Sequence, residues 1–498
     1  MPLNPFRKLA GQTAIYGLPT IAGRLLNYLL VPLYTRAFVP AEYGVVTEVY
    51  AYVAFLFVLL TYGMETAFFR FASREEQNSN VFATAMASLG VTSTLFTLAG
   101  LIFAPEISAW MGYGNHPEYI RWFILILATD ALSTIPYAKL RLDNRPLRFA
   151  LIKIVNIGAN ISFNLFFILL CPYLLANYPE TGFAGLIGRI YSPETGIGYI
   201  FISNLIASLL TFALLLPDML HKSIKPDPAL LKKMLAYSWP LLIFGMAGIV
   251  NETFDRVILK HLLPGTATEA MAQLGIYGAC YKVSILMTLF IQTYRYAAEP
   301  FFFDQARGRH PQDTYARMMH YFLIVCLFIF LSIMLFIDVV MLFVGEAYRE
   351  GARVVPVLLF ANLFLGVFYN LSIWFKLTDK TTYGALISVI GAGITLLLNF
   401  LLIPPFGYMG AAWATFACYA SMMVISYFLG RKYYPVNYNL AGAAVYTISA
   451  LSLYGLSLLV QTAGRLIRYG SSAFLLLVFL TFVAYRESKV FRRLIHKA

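Results

Sequence analysis

The chain has 498 residues, 60% of them hydrophobic and only 12% charged. A water-soluble body of that length needs far more polar surface, and no polar block is long enough to build a separate soluble domain, so the composition excludes soluble classes and leaves a polytopic membrane protein. The net charge of +13 suggests a nucleic-acid partner only until the cations are placed along the chain.

A membrane-spanning helix needs about 20 mostly apolar residues. Stretches of that kind are predicted near 11–33, 44–66, 81–103, 119–138, 149–171 and 196–216, and again near 237–259, 272–297, 319–344, 354–375, 383–403, 409–430, 439–461 and 467–485. The fold class is therefore all-α, with about fourteen transmembrane helices. The first stretch follows Arg7 and Lys8 in the manner of a signal peptide. Pro19, Arg24 and Asn27 interrupt it and no small-residue cleavage site follows, so it is expected to stay as the first span.

With the N-terminus in the cytoplasm, 24 Lys and Arg residues fall in cytoplasmic segments, 8 fall outside and 5 lie within spans. This bias predicts that both termini are cytoplasmic and that the span count is even. The basic balance thus reflects topology, and no nucleic-acid partner is expected.

Two halves of the chain echo each other. Tyr16-Gly17-Leu18-Pro19 recurs as Tyr237-Ser238-Trp239-Pro240, and Glu42-Tyr43-Gly44 as Ile276-Tyr277-Gly278. The turn Asp143-Asn144-Arg145 recurs as Thr378-Asp379-Lys380, with Asn164 and Asn399 following each copy. Six spans separate the copies, so they share an orientation, and parallel repeats predict two pseudo-symmetric six-helix lobes. The expected division is a first lobe over 1–220, a linker over 221–236 and a second lobe over 237–432. Two further helices and a basic tail follow over 433–498.

The five cations inside spans are Arg24, Lys153, Arg256, Lys282 and Arg295. A charge at mid-bilayer costs about 2.5–3.5 kcal/mol on insertion scales, so these side chains should face a polar cavity or a partner. Such an interior suggests a path for an anion. Asn27 and Tyr28 follow Arg24 at i+3 and i+4 and form one polar stripe. Asp130, in the fourth span, is the expected structural partner of Arg24 and, beside Glu252 and Asp255, a candidate ion-coupling acid. Glu252, Asp255 and Arg256 share a helix face. They read either as mutual neutralisation through a Glu252–Arg256 pair or as a site where a coupling H+ or Na+ binds beside a cation. Lys282 and Arg295 lie 13 residues apart, about 20 Å along a helix, and could pass an anion between depths. Arg295 also reads as an interfacial residue paired with Glu299, and Lys153 as one that reaches for the interface. Glu65 and Arg70 either guard the cytoplasmic mouth or simply anchor it. Pro19 and Pro240, equivalent in the repeat, are the expected bend points.

Cys171, Cys280, Cys326 and Cys418 stand in apolar context without a C-x-x-C pair, and the six histidines are scattered. No metal and no cofactor is expected. The G-x-x-x-x-G-K-[ST] pattern is absent, which excludes ATP hydrolysis by a P-loop. The 172–195 connection holds Glu180, Arg189 and Glu194 but no compact constellation, so a glycosyltransferase, polymerase or ligase is not expected.

Residues 9–19 (Leu-Ala-Gly-Gln-Thr-Ala-Ile-Tyr-Gly-Leu-Pro), the turn Val39-Pro40-Ala41-Glu42-Tyr43-Gly44 and the segment Gly63-Met64-Glu65-Thr66-Ala67-Phe68-Phe69-Arg70-Phe71 resemble motifs of the polysaccharide-transporter family. These are the Wzx-type O-antigen flippases of the MATE-like MOP superfamily. The resemblance covers roughly residues 9–432. It implies a central cavity that opens alternately to each side, and a polyprenyl-pyrophosphate-linked oligosaccharide as substrate. Arg24, Asn27, Tyr28, Arg256, Lys282 and Arg295 would then bind the pyrophosphate and sugars. The implied location is the bacterial inner membrane, among membrane lipids and beside polysaccharide polymerase or assembly proteins. A multidrug exporter of the same superfamily and a lipid II flippase are the competing readings. The first should carry an acidic cavity, and the second matches these motifs less well.

Overall fold

The protein is described by a computed structural model, which covers residues 23, 25–26, 28–72, 78–114, 116–180, 182–219, 225–305, 311–460 and 464–495. Among the described residues, 13 helices are long and apolar enough to cross a membrane. They are α1 (Pro40–Ala72), α2 (Asn80–Ile102), α3 (Pro117–Leu142), α4 (Pro146–Asn177), α5 (Gly198–Met219), α6 (Pro228–Leu262) and α7 (Ala267–Tyr296), followed by α8 (Pro311–Leu335), α9 (Glu346–Leu377), α10 (Thr381–Phe406), α11 (Tyr408–Tyr433), α12 (Leu440–Leu458) and α13 (Arg465–Ser488). They stand where the second to fourteenth spans are predicted. The start of the first predicted span lies outside the described residues, and its end forms the helix Val31–Ala37. The all-helical membrane architecture follows from the solvent, because hydrocarbon offers no partner to a backbone amide and each spanning segment must satisfy its own.

Proline sets many of the helix starts. Pro40, Pro117, Pro146, Pro228 and Pro311 open α1, α3, α4, α6 and α8, at a position whose N–H has no helical acceptor in any case. Acidic side chains cap two of these ends. Glu42 Oε2 accepts from the Val39 N–H at 3.1 Å. Asp227 Oδ1 accepts from the N–H groups of Ala229 and Leu230 at 2.8 and 3.3 Å, at the positive end of the helix dipole.

Packing divides the chain into two units, Met1–Gly278 and Ala279–Ala498. The boundary falls inside the unbroken helix Ala267–Gln305. In the first unit α3 packs on α2 and α5, α5 on α4, and α6 on α1. Helix α6, which opens the expected second lobe, therefore belongs with the first unit. In the second unit α11 packs on α9 and α10, and α12 on α8 and α13. The apolar stretch of α3 is 72% buried, against 17% for α12 and 11% for α13. The last two helices are thus peripheral, and exposed apolar side chains such as Ile448 and Phe474 suit a lipid-facing surface.

The sequence repeat is visible in the backbone. Asn144 and Asp379, 235 positions apart, both take left-handed φ, +52° and +55°. The next residue closes each turn in the same way, Arg145 N–H to the Leu140 carbonyl and Lys380 N–H to the Phe375 carbonyl, both at 2.9 Å. The buried amides of Asn164 and Asn399 each donate one turn back, to the carbonyls of Asn160 (2.8 Å) and Thr395 (2.7 Å). They differ at the other atom. Asn164 Oδ1 accepts the Tyr34 phenol at 2.9 Å, whereas Asn399 Oδ1 is buried with no partner among the described residues.

Candidate functional site

Helices α1 and α7 meet almost backbone to backbone. A Cβ on Gly44 would overlap the Met271 carbonyl oxygen, one on Gly275 the Pro40 carbonyl oxygen, and one on Gly278 would stand 2.6 Å from Thr47 Cγ2. Only glycine permits this approach. Gly44 and Gly278 are also the glycines that the sequence repeat aligns.

One turn along α1 from Gly44, the Glu48 side chain has no exposed surface. Lys260, at the end of α6, pairs with its Oε1 and Oε2 at 3.2 and 3.1 Å. The same ammonium donates to the Met111 carbonyl and lies 5.0 Å from the centre of the Tyr113 ring. Tyr113 donates its phenol to Glu48. Tyr113 is itself held at both backbone atoms by Ser108, whose hydroxyl donates to the Tyr113 carbonyl at 2.5 Å and whose carbonyl accepts the Tyr113 N–H at 2.7 Å. Burial first, then the Glu48 charge, raise the Tyr113 phenol well above its ordinary range, so it remains a donor. The result joins α1, α6 and the α2–α3 connection through one buried ion pair with hydrogen bonds on both partners, the condition under which a buried pair is tolerated. A cavity of about 520 Å³ adjoins it, bordered by Glu42, His116, Glu194 and Lys260.

At the other end of these helices α1 breaks. Tyr62 and Gly63 take left-handed φ, 34° and 71°, between the helices Pro40–Thr61 and Met64–Ala72. Gly63 lies against α6, where a Cβ would stand 3.1 Å from Leu241 Cβ and 3.3 Å from the Ser238 carbonyl oxygen. Beyond the break, Met64, Ala67 and Phe68 enter a core with Val81, Ile135 and Met234. Glu65 pairs with Arg141 of α3, and the Arg70 guanidinium sits 4.0 Å over the Tyr237 ring of α6. The two residues expected as a gate thus each tie the end of α1 to a different neighbour. Asp218 likewise answers the basic turn after α3, at 2.7 Å from Arg148 and 3.8 Å from Arg145.

Pro19, Arg24 and Asn27 lie outside the described residues. Tyr28 is buried. Arg256 contacts both acids' residues: its Nε lies 3.3 Å from Asp255 Oδ1 and its Nη2 donates to the backbone carbonyl of Glu252. Asp255 is buried and also accepts the Tyr277 phenol at 2.5 Å, while Glu252 is exposed. Asp130 hydrogen-bonds Ser208 and interacts with Lys153, whose ammonium lies 4.2 Å from the centre of the Tyr137 ring. Lys153 thus packs within the first unit, beside Asp130 and Tyr137. Lys282 and Arg295 belong to the second unit. Lys282 is half-buried, and Arg295 is exposed with its guanidinium 4.7 Å from the centre of the Tyr369 ring. The side chain of Glu299, its alternative partner, lies outside the described residues. Pro240 sits within α6, which runs through it unbroken.

Glu48, Lys260 and Tyr113 are absent from the residues the sequence singles out. The available signal was an acid inside the apolar stretch 44–66, which needs a cation. Nothing in local spacing identifies that cation, 212 positions away.

Solved structures share this fold. The lipid II flippase MurJ in an inward closed conformation matches with TM-score 0.71 at 13% identity, covering 95% of this chain and 99% of its own. An inward-facing multidrug resistance MATE family transporter of the MOP superfamily matches with TM-score 0.61 at 14% identity, covering 84% and 94%. The Vibrio cholerae MATE transporter VcmN in the bent form matches with TM-score 0.51 at 14% identity, covering 86% and 97%. No curated protein matches the chain. A sequence model of one family, described as polysaccharide biosynthesis protein, matches residues 9–306, and the chain belongs to that family.

Proposed function

We propose that this protein is a flippase that moves a polyprenyl-pyrophosphate-linked oligosaccharide, an O-antigen or capsular or exopolysaccharide repeat unit, across the bacterial inner membrane by alternating access, with both termini cytoplasmic. The observation that carries this reading is the coincidence of a polysaccharide-biosynthesis family match with a fold shared, over 95% of the chain, with a lipid II flippase. The chemistry supports it. A pyrophosphate and its sugars cannot cross about 30 Å of hydrocarbon unaided, while a polyprenyl tail can remain in lipid.

In this reading Arg24, Asn27, Tyr28, Arg256, Lys282 and Arg295 bind the anionic head, and Asp255 with Tyr277 orients Arg256. Opening at the Gly44 end requires α1 to leave α6 and α7, which breaks the Glu48–Lys260 pair. Closing at the Glu65 end uses the contacts of Glu65 with Arg141 and of Arg70 with Tyr237. The bends fall at Pro19 and Pro240, and the broken turn of α1 at Gly63 lies beside Ser238 and Leu241, either side of Pro240. A coupling H+ or Na+ acts among the acids Glu252, Asp255 and Asp130, of which Glu252 is exposed while Asp255 and Asp130 also have protein partners. Polymerase or assembly proteins receive the product.

The test is leaflet transfer of a labelled pyrophosphate-linked oligosaccharide in proteoliposomes. Wild type should transfer it, and Arg24→Glu and Arg256→Glu should each reduce the rate at least about tenfold while still inserting, the scale of one lost charge-assisted contact. Transfer of lipid II alone would reassign the substrate. Absence of transfer across a range of such lipids would end the proposal.

A further inference from the structure

In the second unit, the α8–α9 connection, the start of α9 and the start of α13 border a cavity of about 340 Å³ lined by Asp338, Arg349, Arg465, Arg468 and Tyr469. Three guanidinium groups there meet a single carboxylate. Arg468 Nη1 pairs with Asp338 Oδ2 at 2.9 Å, and its Nε is buried with no partner among the described residues. Arg349 spends its Nε on the carbonyls of Met341 and Val344, at 3.2 and 3.4 Å, neutral acceptors that leave its charge uncompensated. Arg465 is exposed and has no acidic partner among the described residues. Glu346 and Glu350 share with Arg349 the 3-10 segment Glu346–Val354 that opens α9, but do not border the cavity.

Two further observations point to an anion. Arg465 and Arg468 stand in the first turn of α13, where the helix dipole disfavours cations and favours anions. The charge bias leaves only 8 Lys and Arg residues on the non-cytoplasmic side, and three of them line this one cavity. Exposed apolar side chains flank it, Leu342, Leu466 and Ile467, as they would beside a headgroup whose chains lie in lipid.

We propose that this cavity binds a phosphate-class oxyanion, supplied by a phospholipid headgroup or by free phosphate, with Arg349, Arg465 and Arg468 as the donors. Planar guanidinium groups offer paired N–H bonds to such an anion. The cavity shares no lining residue with the substrate-binding set proposed above, and the proposal does not depend on the flippase reading.

The experiment uses the full chain, purified and stripped of lipid. One arm follows thermal unfolding in detergent as inorganic phosphate is added. The other places the protein in nanodiscs of phosphatidylglycerol or phosphatidylcholine and measures retained lipid by native mass spectrometry. Phosphate stabilisation alone assigns free phosphate, and selective retention of phosphatidylglycerol assigns the headgroup. In the responding arm Arg465→Gln, which breaks no ion pair, should weaken binding about tenfold, and Asp338→Asn, which removes the competing carboxylate, should strengthen it. No response in either arm, or wild-type binding in both variants, would overturn the proposal.

Discussion

Glu48 and Lys260 depend on each other. With side chains 0% and 11% exposed, removing one partner leaves the other's charge largely buried and unpaired, a loss of about 3–5 kcal/mol for a buried pair. Glu48→Gln and Lys260→Met should each lower the unfolding temperature in detergent. The double variant should recover much of the loss, and a double variant as unstable as the sum of the singles would show the pair to be uncoupled. The Arg256 surroundings show how far spacing alone can be read. Acids at i−1 and i−4 were legible because they lie on the same helix. The burial of Asp255 was not, since it is drawn inward by Tyr277, a residue of another helix, and neither was the bond from Arg256 to the Glu252 carbonyl.

Along single helices, hydrophobic length was enough to place every described span, because hydrocarbon imposes the same 20-residue requirement on each. The repeat was legible too, and its turns share backbone geometry at Asn144 and Asp379. The break in α1 was not, since Tyr62 gives no warning of a left-handed φ. Gly63→Ala should cost about 1–2 kcal/mol from backbone conformation alone, with Leu241 Cβ 3.1 Å from the added atom. Gly275→Ala should cost about 1–3 kcal/mol by overpacking, since its added methyl would meet a Pro40 carbonyl fixed by helix geometry. Both are read as shifts in thermal unfolding, and an unchanged Gly275→Ala protein would contradict the close crossing of α1 and α7.

For the molecule as a whole, the bias of 24 cationic residues against 8 makes a simple topological prediction. Reporters fused at either terminus should be active only in the cytoplasm, and a signal from the opposite side of the membrane for one of them would mean an odd number of crossings. The family was legible from motif order and span count. The grouping of α6 with α1 was not, because it arises from side chains far apart in sequence. The four cysteines, each a thiol with 0% exposure, have a practical consequence. A maleimide dye should leave the native protein unlabelled and react only after denaturation, so single cysteines placed on the loops can be tracked through the proposed transport cycle without first removing any natural residue.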